Sequence, residues 1–229
     1  VRALYITSHH HYPTTVTLSI DRRVKLLALA QQYGFAIVED DYDYDFHYAS
    51  SPLLPLASLD TQGCVIYLGS FTKCIAPAIR VGYLAAPTNF IQTITPYRRL
   101  IDRQGDPVME RALARWIEAG DLQRHVKKSL RIYRERRNFL SQYLHERLGH
   151  ALSFQEPEGG MATWVRCAPT VDTLALAQYT AKRGVSLEGV ENWQNHQGIR
   201  LGFASLTSDE LAQGMDIVTE GFNQLLTKK

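Results

Sequence analysis

Cys64-Val65-Ile66-Tyr67-Leu68-Gly69-Ser70-Phe71-Thr72-Lys73 runs from an apolar stretch straight into a lysine. Its first five residues are a continuous apolar run of strand length, and Gly69-Ser70 marks a turn at the end. Phe35-Ala36-Ile37-Val38 repeats the pattern upstream and ends in Glu39-Asp40-Asp41, and Val81-Gly82-Tyr83-Leu84-Ala85-Ala86 gives a further strand downstream. Between Asp21 and Tyr33, Val24, Leu26, Leu27, Leu29 and Ala30 recur at helical spacing, with Asp21 as the expected N-cap and Gly34 as the stop. Apolar strands alternating with helices predict a mostly parallel α/β sheet covered on both faces. Ligands of such sheets sit at the carboxyl ends of the strands, where Asp40 and Lys73 both lie. Val1-Arg2-Ala3-Leu4-Tyr5-Ile6-Thr7 also reads directly as a strand, without initiator Met or polar leader, so the chain is expected to be a piece of a longer protein.

Residues 88–149 are helical in pattern, and from about Leu122 a long helix carries Leu130, Ile132, Tyr133, Phe139, Leu140, Tyr143 and Leu144 as an apolar stripe. Its basic residues, among them Arg124, Lys127, Lys128 and Arg131, are interspersed with Glu135 and Glu146 and read as a solvated face rather than a nucleic-acid footprint. Beyond His150 the pattern becomes β-β-α-β-β-α: Met161–Val165, a helix over Val171–Arg183, short strands at Val185–Leu187 and Gly198–Phe203, and a last helix from Ser208. The expected division is residues 1–123 as part of a large α/β domain, 124–149 as a connecting helix, and 150–229 as a small α+β domain.

Composition excludes several classes. With 45% hydrophobic and 21% charged residues, the 229-residue chain can bury an ordinary core. A net charge of +2 gives no field for nucleic acid or anionic membrane, and the apolar runs are too short to span a bilayer. Three widely spaced cysteines, with no CxxC pair, argue against disulfides and structural zinc and fit a reducing, cytoplasmic setting. The run His9-His10-His11 is no expected metal site, because neighbours in an extended segment point to opposite faces.

The order of chemical groups carries the functional reading. Carboxylates and a phenol follow one strand (Asp40, Tyr42), a lysine follows small hydroxyl residues thirty-three positions later, and Arg80 follows seven beyond that. A lysine that bonds to an aldehyde, an acid for a pyridine nitrogen, and hydroxyls with an arginine for a phosphate are what pyridoxal 5'-phosphate (PLP) requires. EDDYDxxF (Glu39–Phe46) followed by YLGSFTKxxAPxxRxGY (Tyr67–Tyr83) resembles the fold-type-I aminotransferases, and specifically the aminotransferase-like domain of MocR-type regulators in the GntR superfamily. RIYRERRNFL (131–140), PEGGM (157–161) and IRLGFA (199–204) extend the resemblance over essentially the whole chain.

The resemblance implies a three-layer α/β PLP-transferase fold, a partial large domain with a small C-terminal one. It makes Lys73 the cofactor-linking and catalytic lysine, Asp40 the acid on the pyridine nitrogen, and Tyr42 the phenol facing the ring oxygen. Ser70, Thr72 and Arg80 become phosphate ligands, and Arg200 the carboxylate-binding arginine for substrate or effector. It also implies a homodimer, an amino acid or amine as ligand, and DNA contact only through a winged-helix domain outside this chain. The alternative is a free-standing aminotransferase moving an amino group between an amino acid and a 2-oxo acid. In the family an upstream stretch supplies a phosphate-binding turn and a stacking aromatic, so this piece alone is expected to bind PLP weakly. Thr7–Thr15 is similar to the family loop TPSHQYPTG, with Thr15 in place of a glycine suited to positive φ. Glu39, Asp41, Asp43 and Asp45 receive no role, though crowded carboxylates are costly unless hydrogen-bonded.

Overall fold

The computed structural model describes residues 1–48, 53–187 and 198–226. It divides into two compact units, Val1–His11 with Val16–Ser129, and Tyr12–Thr15 with Leu130–Lys229.

The first unit is built on a four-stranded sheet in the order β1 (Ala3–Ile6), β2 (Ala36–Asp41), β3 (Val65–Ser70), β4 (Gly82–Ala85). The first three strands are parallel and β4 is antiparallel to β3. Helix α1 (Ile20–Tyr33) connects β1 to β2 and ends on Gly34 at φ 64°, a left-handed C-cap that suits glycine. Its N-cap is Ser19, so Asp21 falls in the first turn, where a carboxylate favours the positive helix end.

Alternation along β2 and β3 sorts their side chains onto two faces. Ile37, Glu39 and Asp41 are buried with Val65, Tyr67 and Gly69, while Val38, Asp40, Ile66, Leu68 and Ser70 are half-buried. The buried, rear face packs Ile37 and Val65 against Leu27 and Ala30 of α1 and Leu56 of the one-turn helix α2 (Leu56–Leu59). After β3 the chain makes the single turn α3 (Phe71–Cys74) before β4. Helices α4 (Thr88–Asp102), α5 (Pro107–Glu118) and α6 (Asp121–Leu148) follow. Asp106 caps α5 by accepting from the amides of Val108 and Met109. The boundary between the units falls within α6, after Ser129.

In the second unit the antiparallel sheet β5 (Leu152–Phe154), β6 (Ala162–Cys167), β7 (Gly198–Gly202) is accompanied by α7 (Thr173–Ala181) and α8 (Ser208–Leu226). Leu140, Leu144, Trp164, Leu176, Phe203, Met215 and Phe222 are among its buried residues. Val185–Leu187, expected as a strand, is not one. The amide of Val185 bonds back to the Thr180 carbonyl at 3.0 Å and Gly184 takes φ 84°, so this segment closes α7 in a Schellman-type turn. No described helix is long and apolar enough to cross a membrane.

Candidate functional site

Asp40 and Ser70 lie on the half-buried face at the carboxyl ends of β2 and β3: Asp40 pairs with Leu68, and Ser70 is two residues further along the same face. The Asp40 carboxylate accepts a hydrogen bond from the Tyr5 hydroxyl at Oδ2. This bond, with burial and the charge of Asp40, pushes the Tyr5 phenol up to about 12. Ser70 is the N-cap of α3, and its Oγ accepts from the Thr72 amide at 3.2 Å. Lys73 is the third residue of that turn and is exposed. Arg80, also exposed, sits at φ 51° just before β4. The Phe71 amide bonds to the Val81 carbonyl at 3.0 Å and Ser70 pairs with Gly82, so Ser70, Thr72, Lys73 and Arg80 share one corner of the sheet.

Tyr42 is the first residue beyond β2, and its hydroxyl donates to the His10 carbonyl at 2.9 Å. Arg200 belongs to the second unit, on β7 opposite Trp164, with its guanidinium 5.5 Å from the ring centroid of Tyr12 in the same unit. Thr15 takes φ 56°, the left-handed conformation suited to the glycine of the family loop and costly for a β-branched residue.

The rear face holds polar residues that motif reading passed over. Arg23 is fully buried and donates to the carbonyls of Leu18 (2.8 Å), Leu54 (2.7 Å) and Ser8 (2.9 Å). Glu39 accepts from the Leu56 and Ala57 amides at 2.8 and 3.0 Å and from the Ser8 hydroxyl, so it caps α2 from the neighbouring strand. His9 spans the Asp41 carboxylate (2.9 Å) and the Leu53 carbonyl (2.8 Å), and His10 pairs with Asp43 at 2.7 Å. His47 packs edge-on against His9 and Tyr44. Burial, and then repulsion from His9 and His10, lowers its imidazole to about 4.

His9, Glu39 and Asp41 bring three possible ligand atoms within 4.8 Å of one another. Both nitrogens of His9 and both oxygens of Glu39 already have protein partners, and Asp41 Oδ1 is the remaining atom without one among the described residues. With Arg23 alongside, the cluster is a charge-compensated support. The signal for it is the period of two in Glu39-Asp40-Asp41: alternate acids on a strand share a face, and a buried pair needs partners.

The profile of the family Aminotransferase class I and II matches residues 1–218. Aromatic-amino-acid aminotransferase 1 of Thermococcus litoralis is 29% identical over the whole chain, which covers 56% of that protein. The HTH-type transcriptional regulator TauR of Rhodobacter capsulatus is 33% identical over 82% of the chain and 39% of its own length. Among solved structures, the multiple substrate aminotransferase of Thermococcus profundus superposes with a TM-score of 0.91 at 29% identity, over 100% of this chain and 58% of that one. Kynurenine aminotransferase of Pyrococcus horikoshii, solved with PMP, gives 0.90 at 28%, over 98% and 56%. The chain thus spans about half the length of these relatives.

Proposed function

We propose, from the premise that this chain belongs to the class I and II aminotransferase family with its fold-type-I architecture, that it is the PLP-binding part of an amino-compound sensor in a MocR-type regulator. The observation that carries the cofactor reading is the shared face of Asp40 and Ser70, with Lys73 and Arg80 at the same corner. An acid, a hydroxyl, an exposed amine and an exposed guanidinium fit the ring nitrogen, phosphate and aldehyde of PLP. Bound there, PLP supplies an aldehyde that condenses with amines and a protonated ring that withdraws electrons.

The chain's own residues then act as follows. Lys73 provides the amine that holds the cofactor and, in an enzyme, accepts the substrate α-proton. Asp40, with Tyr5 on its Oδ2, would hold the ring nitrogen protonated. The Ser70 oxygen accepts from the Thr72 amide, so its own proton is available to a phosphate oxygen, with Arg80 as the cationic partner and Thr72 beside it. Tyr42, whose hydroxyl donates to the His10 carbonyl, would be the phenol facing the ring oxygen. Arg200 takes the carboxylate of the amino compound through its N–H edge.

The sensor reading rests on the EDDYD style of the strand end and on relatives such as TauR and the Rhizobium meliloti regulator MocR. In it the full protein is a cytoplasmic homodimer that touches DNA through a winged-helix domain outside this chain. The second reading, a free-standing aminotransferase, is favoured by the match of this whole chain to 56% of the Thermococcus litoralis enzyme. The test is DNA binding by the full-length PLP-loaded protein with and without amino compounds, beside an assay of turnover with amino acid and 2-oxo acid. The sensor reading expects ligand-dependent DNA affinity; repeated turnover without DNA binding overturns it in favour of the enzyme.

A further inference from the structure

Tyr83 has no part in the site described above, although it stands directly opposite Gly69 in the β3–β4 pairing. Its ring lies across the space where a side chain at position 69 would be: a Cβ there would sit 2.1 Å from Tyr83 Cζ. The ring contacts Phe71, the first residue of α3, at a centroid distance of 5.4 Å, and Tyr67 at 6.1 Å. Tyr67 donates from its hydroxyl to Asp41 Oδ2 at 3.1 Å. Asp41 in turn is held by His9 and pairs with Gly69 across the β2–β3 ladder. A continuous set of contacts therefore joins the strand end next to Asp40 to the turn that carries Lys73.

We infer that Tyr83, seated over Gly69 and tied through Tyr67 to Asp41, is a positioning residue that sets the Lys73 turn against the Asp40 strand end. This rests on the cofactor reading above and deepens it, because that reading assigns the aldehyde to position 73 and the ring nitrogen to position 40. Phe71 and Lys73 share one helical turn, so a displacement of the Tyr83 ring moves the amine relative to the carboxylate. Glycine at 69 then has a stated cause, since any side chain would push the ring away.

The experiment is a double-mutant cycle in the full-length protein with Gly69→Ala, Tyr83→Ala, the combined variant and Tyr83→Phe. It reads the PLP dissociation constant and the pH midpoint of the Lys73-dependent visible absorbance, with a urea melt beside them. Expected are about tenfold weaker PLP binding and a displaced midpoint in each single alanine variant, and a combined variant no worse than Tyr83→Ala alone, because the added methyl then meets no ring. Tyr83→Phe keeps the ring and stays within about threefold of the parent. Additive losses, or alanine variants that retain parental affinity and midpoint, overturn the positioning role alone. A parent protein with no Lys73-dependent absorbance overturns the cofactor reading and the positioning role together.

Discussion

The two faces of the β2–β3 ladder carry similar residue types and do different work. On the half-buried face, Asp40 and Ser70 are left with hydrogen-bonding capacity to spare. On the rear face, Glu39 and Asp41 are enclosed by Arg23, His9, Ser8, Tyr67 and the α2 amides. A half-buried polar group at a strand end is available to a ligand, whereas a buried one held by protein partners contributes to stability. Adjacent carboxylates, Asp40 and Asp41, face opposite ways because a strand alternates: Asp40 is half-buried, whereas Asp41 is buried and held through Oδ2 by His9 and Tyr67.

Arg23→Met is the strongest way to break this contrast. It removes the guanidinium donors to the Leu18, Leu54 and Ser8 carbonyls and the positive charge beside the buried Glu39 and Asp41, so urea melts should show a loss of about 3–5 kcal/mol. A loss below about 1 kcal/mol would contradict the supporting role of the rear face. Glu39→Gln places an amide where two backbone N–H groups and a hydroxyl need acceptors; a cost of about 1–3 kcal/mol is expected in the same melts.

His47 sharpens the comparison through pH. The unfolded imidazole takes a proton near its ordinary value of 6.5, while the folded one, held at about 4 by burial, refuses it. Between those values the unfolded state binds more protons, so this contribution is complete above pH 6.5 and is lost as pH falls towards 4. Parent minus His47→Asn stability should fall by about 1 kcal/mol per pH unit in that window, and a difference flat with pH would remove His47 from the buried set. The smallest stability effect belongs to the other face: Asp40→Asn should shift the melt by no more than about 0.5 kcal/mol while weakening PLP binding.

The half-buried face was legible because its residues are ordered by chemistry along the chain, and each follows an apolar run that can be read as a strand. The strands themselves run further than those runs, to Asp41 and Ser70, since ladder hydrogen bonds continue regardless of side-chain polarity. The rear face was not legible as motifs. Arg23 sits in the helical pattern among residues such as Asp21, Arg22 and Lys25 that read as a solvated face, and only tertiary packing shows that it is buried. The histidine run was set aside because neighbours in an extended segment point to opposite faces. Its actual task, pairing His9 with Asp41 and His10 with Asp43, depends on contacts more than thirty residues apart. Tyr83 and Gly69 were visible as motif letters, but their reason lies in a cross-strand pair.

Lys73 as the amine that holds the cofactor is the claim tested most directly. Full-length protein treated with PLP, reduced with borohydride and digested should carry the phosphopyridoxyl mass on the peptide containing Lys73, and Lys73→Ala should abolish that label. A label on another lysine, or one spread over several and unchanged in the variant, would contradict it.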